Sequence, residues 1–140
     1  MSYVEESLSA GEIVHFETKL TRTFLWVFLL VSFVTLPVYG IGAIFFLVSL
    51  VYYLAIKTSE FAVTNKKVII KYGILTITSV EIMFSKIESV SVNQSIAGRV
   101  FNYGQIIISG TGGTKQVFDM IDRPIEFRRN VMEAMEKYSK

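Results

Sequence analysis

Lysines offer this chain its most suggestive chemistry. Lys66, Lys67 and Lys71 crowd one short polar stretch, and Lys57 stands a little before them. Ammonium groups near a bilayer attract anionic lipid headgroups, each by about 1 kcal/mol at the surface. The same lysines, at turns and strand edges, would also guard a sheet against edge pairing. Both readings stand on the sequence alone. The remaining polar residues promise less. His15 is the single histidine, and no nucleophile or carboxylate is placed beside it by sequence, so a structural or surface role is expected. Gly110-Thr111-Gly112-Gly113 has the composition of a phosphate loop. Such a loop opens a helix and carries a Lys-Ser/Thr pair, whereas these glycines join two predicted strands and read as a turn. Asp119, Asp122 and Glu126 gather without the glycine-bearing loop of a calcium site and suit solvated charges and helix capping. Arg128-Arg129 suits a solvated helix face. The chain has no cysteine, which excludes disulfides and thiolate metal sites. No catalytic set, no metal site and no cofactor is expected.

The elements that must position these groups begin with an apolar block. Residues 24–56 read FLWVFLLVSFVTLPVYGIGAIFFLVSLVYYLAI without one charge. Eighteen such residues already suggest a membrane helix. A small domain has too little other surface to bury the block as a soluble core. The chain is 51% hydrophobic and 19% charged, and this block accounts for the imbalance. As one helix it would be about 50 Å long against a hydrocarbon core of about 30 Å. Pro37, Gly40 and Gly42 in its middle suit a turn. The block therefore predicts two helices, 22–38 and 42–57, forming a transmembrane or re-entrant hairpin. Trp26, Tyr52 and Tyr53 would share one interfacial depth, with Arg22 and Lys57 snorkelling beside them. Lys19 and Arg22 precede the hairpin, Lys57, Lys66 and Lys67 follow it, and its turn is uncharged. The positive-inside rule then places a multi-pass protein in the cell membrane with both termini cytoplasmic. A cleaved signal peptide is disfavoured by the four glutamates that precede the block. Without an ionisable residue other than tyrosine, the hairpin makes a poor ion path. Ser32, Thr35 and Ser49 read as helix–helix contacts.

The flanking segments are β-rich. Residues 11–20 alternate as a strand, with Val14, Phe16 and Thr18 on one face. Further strands are predicted at 60–64, 67–72, 75–82, 86–93, 105–109 and 115–120, with turns at Asn65-Lys66, Gly73 and 110–113. The alternation slips at Thr78-Ser79, which predicts a bulge or bend, and 94–104 reads as a short helical turn and loop. Phe127, Val131, Ala134 or Met135, and Tyr138 then recur at helical spacing, with Pro124 in the first turn. The organisation reads as an N-terminal segment with the first strand (1–21), the hairpin (22–57) and a β domain with a last helix (58–140).

GEIVHFETKL before a hairpin, FAVTNKKVIIKYGILT, KIESVSVNQSIAGRVFNYG, IIISGTGGT and a final IEFRRNVMEAM follow in order. This arrangement resembles the bacterial and archaeal pleckstrin-homology-like membrane proteins, the YdbS-like group once described as a domain of unknown function. Its most specific pieces are T-N-K/R-x-V-I-x-x-x-G at 64–73 and K-I-x-S-V at 86–90. The resemblance implies an α+β membrane protein: a PH-like bent antiparallel β-barrel of about seven strands, closed by a C-terminal amphipathic helix, with the hairpin inserted after the first strand. It implies no catalytic set, and the basic motif of lipid-binding eukaryotic PH domains is not reproduced.

The function expected is a membrane-anchored, non-catalytic module for lipid headgroups or a protein partner, with Lys57, Lys66, Lys67 and Lys71 as headgroup contacts. The alternatives are a structural subunit of a multi-component membrane complex, its hairpin packed against other hairpins with Gly40, Gly42 and Ala43 permitting close approach, and last a lipid-modifying enzyme; the partners expected are membrane lipids, with a protein partner or a homo-oligomer beside them. A net charge of +2 is too small to suggest nucleic acid.

Overall fold

Runs of β-branched and aromatic residues between short polar turns favour antiparallel strands, and the computed structural model, which describes residues 3–35 and 40–138, contains seven among them. In chain order the elements are α1 (Tyr3–Glu6), β1 (Val14–Thr18), α2 (Thr23–Thr35), α3 (Ile41–Thr58), β2 (Glu60–Thr64), β3 (Lys67–Tyr72), β4 (Thr78–Met83), β5 (Ile87–Asn93), α4 (Ile96–Phe101), β6 (Tyr103–Gly110), β7 (Lys115–Asp122) and α5 (Pro124–Tyr138). The helical pair is inserted between β1 and β2, which nevertheless pair with each other.

The strands form two antiparallel sheets, β1-β2-β3-β4 and β5-β6-β7. The expected closed barrel is not made. A 3-10 turn at Phe84–Lys86 carries the chain from one sheet to the other. At the opposite corner β1 reaches β7 only through a single bridge, Leu20 to Ile121. The reason is local: α2 begins at Thr23, three residues after the bridge, so a ladder has no room to grow. Thr21 N–H still donates to Met120 O at 2.7 Å, and Asp122 N–H to Lys19 O at 2.9 Å.

The main core lies between the sheets and under α5. Phe61, Val63, Val68 and Ile70 from the first sheet meet Ile106, Ile108, Phe118 and Ile121 from the second, with Phe127, Val131 and Ala134 of α5 laid across. The predicted helical stripe is thus the buried face of α5 through Ala134, while Tyr138 at its end is exposed. Strands β2 and β3 are buried on both faces, because Val4 of α1 covers Ala62 and Ile69 from outside. The sequence reading contained no such helix.

The T-N-K stretch proves to be a turn device. Thr64 Oγ1 accepts from the N–H groups of Lys66 and Lys67 at 3.2 and 3.1 Å and donates to Glu12 Oε1 at 2.6 Å. Asn65 accepts from Ile13 N–H and donates to Gly11 O, both at 3.2 Å. The turn therefore fastens the N-terminal segment to the first sheet.

Two expectations fail in detail. Residues 75–77 of the predicted 75–82 strand lie outside β4, which starts at Thr78. Its pairing with β3 runs unbroken through Lys71–Ser79 and Tyr72–Thr78, so the slipped alternation reflects an exposed strand rather than a bulge. The register shifts lie instead between Val14 and Phe16, Ile87 and Ser89, and Gly104 and Ile106.

The α2–α3 pair packs inside out. Its buried residues are Ser32, Gly42, Ser49 and Ile56, while Leu30, Phe33, Ile44 and Leu47 point outward. Ser32 Oγ donates to Gly42 O at 2.9 Å across the seam. Gly42 thus lies within α3, not in the turn. Gly40 supplies the turn conformation with φ 80°, and Pro37 lies outside the described residues. Thr35 and Ser49 hydroxyls bond back to their own helices. Among the described helices, α3 is long and apolar enough to cross a membrane, and α2 is apolar but shorter.

Candidate functional site

Three cations converge where the helical pair meets the sheets. Lys19 follows β1, Arg22 opens α2 and Lys57 ends α3. With Leu25, Trp26, Tyr53 and Ile56 they line a cleft of about 510 Å³. The local sequence explains the placement. The antiparallel packing of the two helices brings the start of α2 beside the end of α3. Lysine also suits the negative end of the α3 dipole. Lys57 Nζ lies 5.3 Å above the Tyr53 ring. No ion pair among the described residues engages Lys19, Arg22 or Lys57. An adjoining cleft of about 660 Å³ shares Lys19, Arg22 and Trp26 and adds Glu17, Asp122 and Arg123. Arg123 is already engaged, with Asp122 at 3.6 Å and Glu126 at 3.4 Å. The first cleft therefore holds the available positive charge, and a guanidinium with two ammonium groups can receive a phosphate oxygen set.

The lysines grouped by sequence are not grouped in space. Lys71 pairs in register with Glu60, close to the end of α3. Lys66 and Lys67 sit at the far end of the β2–β3 hairpin, roughly 13–17 Å from Lys71 at about 3.3 Å per residue. Lys66 is exposed there. Lys67 is enclosed, its Nζ 2.8 Å from Glu81, 3.0 Å from Ser7 O and 3.8 Å from Glu12. Of the interface residues, Trp26 and Tyr53 are exposed on the cleft. Tyr52 turns inward: its hydroxyl donates to Thr21 O at 2.8 Å, and its ring meets the edges of Phe24 and Phe28. Lys19 was visible in the sequence only as a flanking charge, and its partnership with Lys57 required the hairpin to be folded.

The weaker candidates take structural places. His15 stacks on Tyr138 with ring centres 5.3 Å apart. Residues 110–114 form the β6–β7 turn, closed by Gly110 N–H donating to Thr114 O at 2.8 Å. Asp119 accepts from Gln105, while Asp122 and Glu126 flank Arg123. Among the described residues, no group of three or more metal-ligating side chains gathers.

Against known proteins, no curated sequence matches this chain. Among solved structures, a DUF1696-family protein with a pleckstrin-homology domain from Shewanella loihica PV-4 is similar at 13% identity and a TM-score of 0.42. The match covers 61% of this chain and 74% of that one. The family profile described as "Bacterial PH domain" matches residues 19–135. That match runs through both helices of the inserted pair and on into α5, and the chain belongs to the bacterial PH domain family.

Proposed function

We infer that this chain is a membrane-anchored PH-like interaction module, non-catalytic as PH domains generally are, and that its cationic cleft holds the headgroup of an anionic phospholipid. The α2–α3 pair is its anchor. Small and hydroxyl residues fill the helix seam while large apolar ones face outward, a pattern suited to lipid and costly in water. The observation that carries the headgroup reading is the meeting of Lys19, Arg22 and Lys57, none ion-paired, with Trp26 and Tyr53 at the base of that pair. A belt of aromatics and cations suits the headgroup layer.

The test is lipid binding by the full chain in mild detergent, read by native mass spectrometry during titration with phosphatidylglycerol. Changing Lys19, Arg22 and Lys57 together to Gln removes about 3 kcal/mol at most, so affinity should fall by up to about 100-fold. Lys66→Gln with Lys86→Gln, at the far end, should leave it unchanged. Equal loss in both variants, or none in the first, would remove the headgroup site.

Orientation follows from the same charges. Both termini and the β domain are expected on the cytoplasmic side. Because the chain lacks cysteine, Thr111→Cys gives a single label site. An impermeant thiol reagent should modify it only after the cells are opened; modification in intact cells would reverse the topology.

A further inference from the structure

The seven strands divide their connections between two ends of the domain, and the two ends differ in chemistry. Three connections leave the end where α2 and α3 begin and finish: the helical pair itself, the β3–β4 loop, and α4 between β5 and β6. The Leu20–Ile121 bridge and the Tyr103–Asp122 pairing bring the second sheet's connection to that end, and Tyr103 meets the Phe24 ring at 5.2 Å. The other end carries Asn65, Lys66, Ser85, Lys86 and the 110–114 turn, all polar or glycine, and its exposed large apolar side chains are the separate Ile13 and Met83. At the helical end the exposed large apolar side chains include Ile74, Leu75 and Ile77 in the loop, and Ile96, Val100 and Phe101 on α4. Leu75 is 99% exposed and Ile96 83%.

These apolar groups are held outward by the fold. Gly73 turns the loop with φ 123°, and a Cβ there would stand 2.0 Å from Thr76 O. The Thr58 hydroxyl at the end of α3 donates to Gly73 O, which pins the loop to the helix. Gly98 presses α4 onto β6, since a Cβ there would stand 2.5 Å from Tyr103 O. With that face closed, Ile96, Val100 and Phe101 project away, and Arg99 stands exposed among them. Between α3 and the loop runs a cleft of about 780 Å³ lined by Val51, Leu54, Ile74, Leu75, Val117 and Phe118, among others. Isolated exposed apolar residues need no explanation, but an apolar set on one end, continuous with an apolar helix, does.

We propose that this end of the domain is itself a membrane-penetrating surface: the β3–β4 loop and α4 enter the bilayer interface beside α3, and lipid acyl chains fill the cleft between them. The proposal rests on the anchor reading above and extends it from the helical pair to the sheet domain. Arg99 then reaches the headgroups while its apolar neighbours lie deeper.

Single-tryptophan variants of the full chain decide it. In a Trp26→Phe background, Leu75→Trp and Val100→Trp are placed at the proposed surface, Thr111→Trp at the opposite end and Phe33→Trp in α2. Each is reconstituted in vesicles of phosphatidylcholine and phosphatidylglycerol, with and without brominated acyl chains. Leu75→Trp and Val100→Trp should emit to the blue of Thr111→Trp and lose most of their intensity to the brominated lipid, while Thr111→Trp responds only to aqueous iodide. Iodide quenching of Leu75→Trp and Val100→Trp to the extent of Thr111→Trp, with Phe33→Trp still quenched by lipid, would overturn the proposal and leave the anchor intact. Failure of brominated lipid to quench Phe33→Trp would overturn both. Shielding of Leu75→Trp from both quenchers would place a second copy or another protein over the surface and overturn the lipid contact.

Discussion

Lys67→Met should destabilise the β domain by about 3 kcal/mol, while Lys66→Met should change it by less than about 0.5 kcal/mol. The two lysines are adjacent, yet only Lys67 faces a buried carboxylate. The Glu12 side chain is 0% exposed and that of Lys67 is 12% exposed. Glu12 accepts from Thr64 Oγ1 at 2.6 Å and from Ser9 N–H at 2.9 Å, with Lys67 Nζ at 3.8 Å. Removing the ammonium leaves a buried charge held by neutral donors alone. Burial raises the Glu12 pKa, but the hydrogen bonds from Thr64 and Ser9 and the charges of Lys67 and Lys66 outweigh it, and the net shift is below the ordinary 4.5. A depressed carboxylate contributes stability that is present above its unfolded pKa and lost as pH falls through the folded one. The wild type should therefore lose stability below about pH 4.5, and Glu12→Gln should flatten that acid limb. Thermal melts of β-sheet circular dichroism in detergent, taken across pH, measure both effects. Matching melts for the Lys66 and Lys67 variants would refute the buried pair.

Phe127→Ala should cost about 3–5 kcal/mol, the range for removing a buried aromatic. Phe127 is 0% exposed and belongs to the main core. Its ring meets Phe16 of β1 edge-on at 6.4 Å, and Arg123 stands 5.3 Å above the same Phe16 ring. The truncation therefore loosens α5 from β1, where the sheets have only one bridge to hold them. The α2–α3 pair has its own seam at Ser32 and Gly42, so membrane retention should persist. The expected result is a large fall in the sheet's melting temperature with unchanged recovery in the membrane fraction. Loss of the protein from that fraction at wild-type expression would show that the helical pair depends on the sheets.

Much of this architecture was legible because it rests on local pattern. Strands β2, β3, β5, β6 and β7 were readable from β-branched runs between turn residues, and α5 from the spacing of Phe127, Val131 and Ala134. What pattern could not supply was pairing at a distance. Lys66 and Lys67 are alike in sequence; Glu12 and Glu81 tell them apart, Glu81 placed by the register of β4 on β3 and Glu12 by the start of β1 on β2 and its bond from Thr64. The same register returns Lys71 to Glu60, so a run of neighbouring lysines divides between two ends of the domain. The cationic cleft needed the opposite step, since Lys19 and Lys57 meet only after the helices fold back. Helix α1 escaped notice because four residues cannot show a period, and it is held by Val4 against Ala62 and Ile69. The β3–β4 loop has the pattern of a strand because Leu75 and Ile77 alternate with threonines, and alternation does not say whether a partner strand is present.

Ser59 alone separates α3 from β2, and Lys19 through Arg22 alone separate β1 from α2. Ser59 is buried and its hydroxyl donates to Ala55 O at 2.7 Å. A domain on a flexible tether sweeps a volume whose radius grows with the square root of tether length; here there is almost no tether to count. Anchored as proposed, the domain cannot lean out to capture a target from solution. Its encounters are confined to the plane of one leaflet, with molecules that diffuse laterally past it at a fixed height. Rotation or tilt of the helical pair must be passed to the strands as a rigid-body turn, since neither junction is long enough to absorb it.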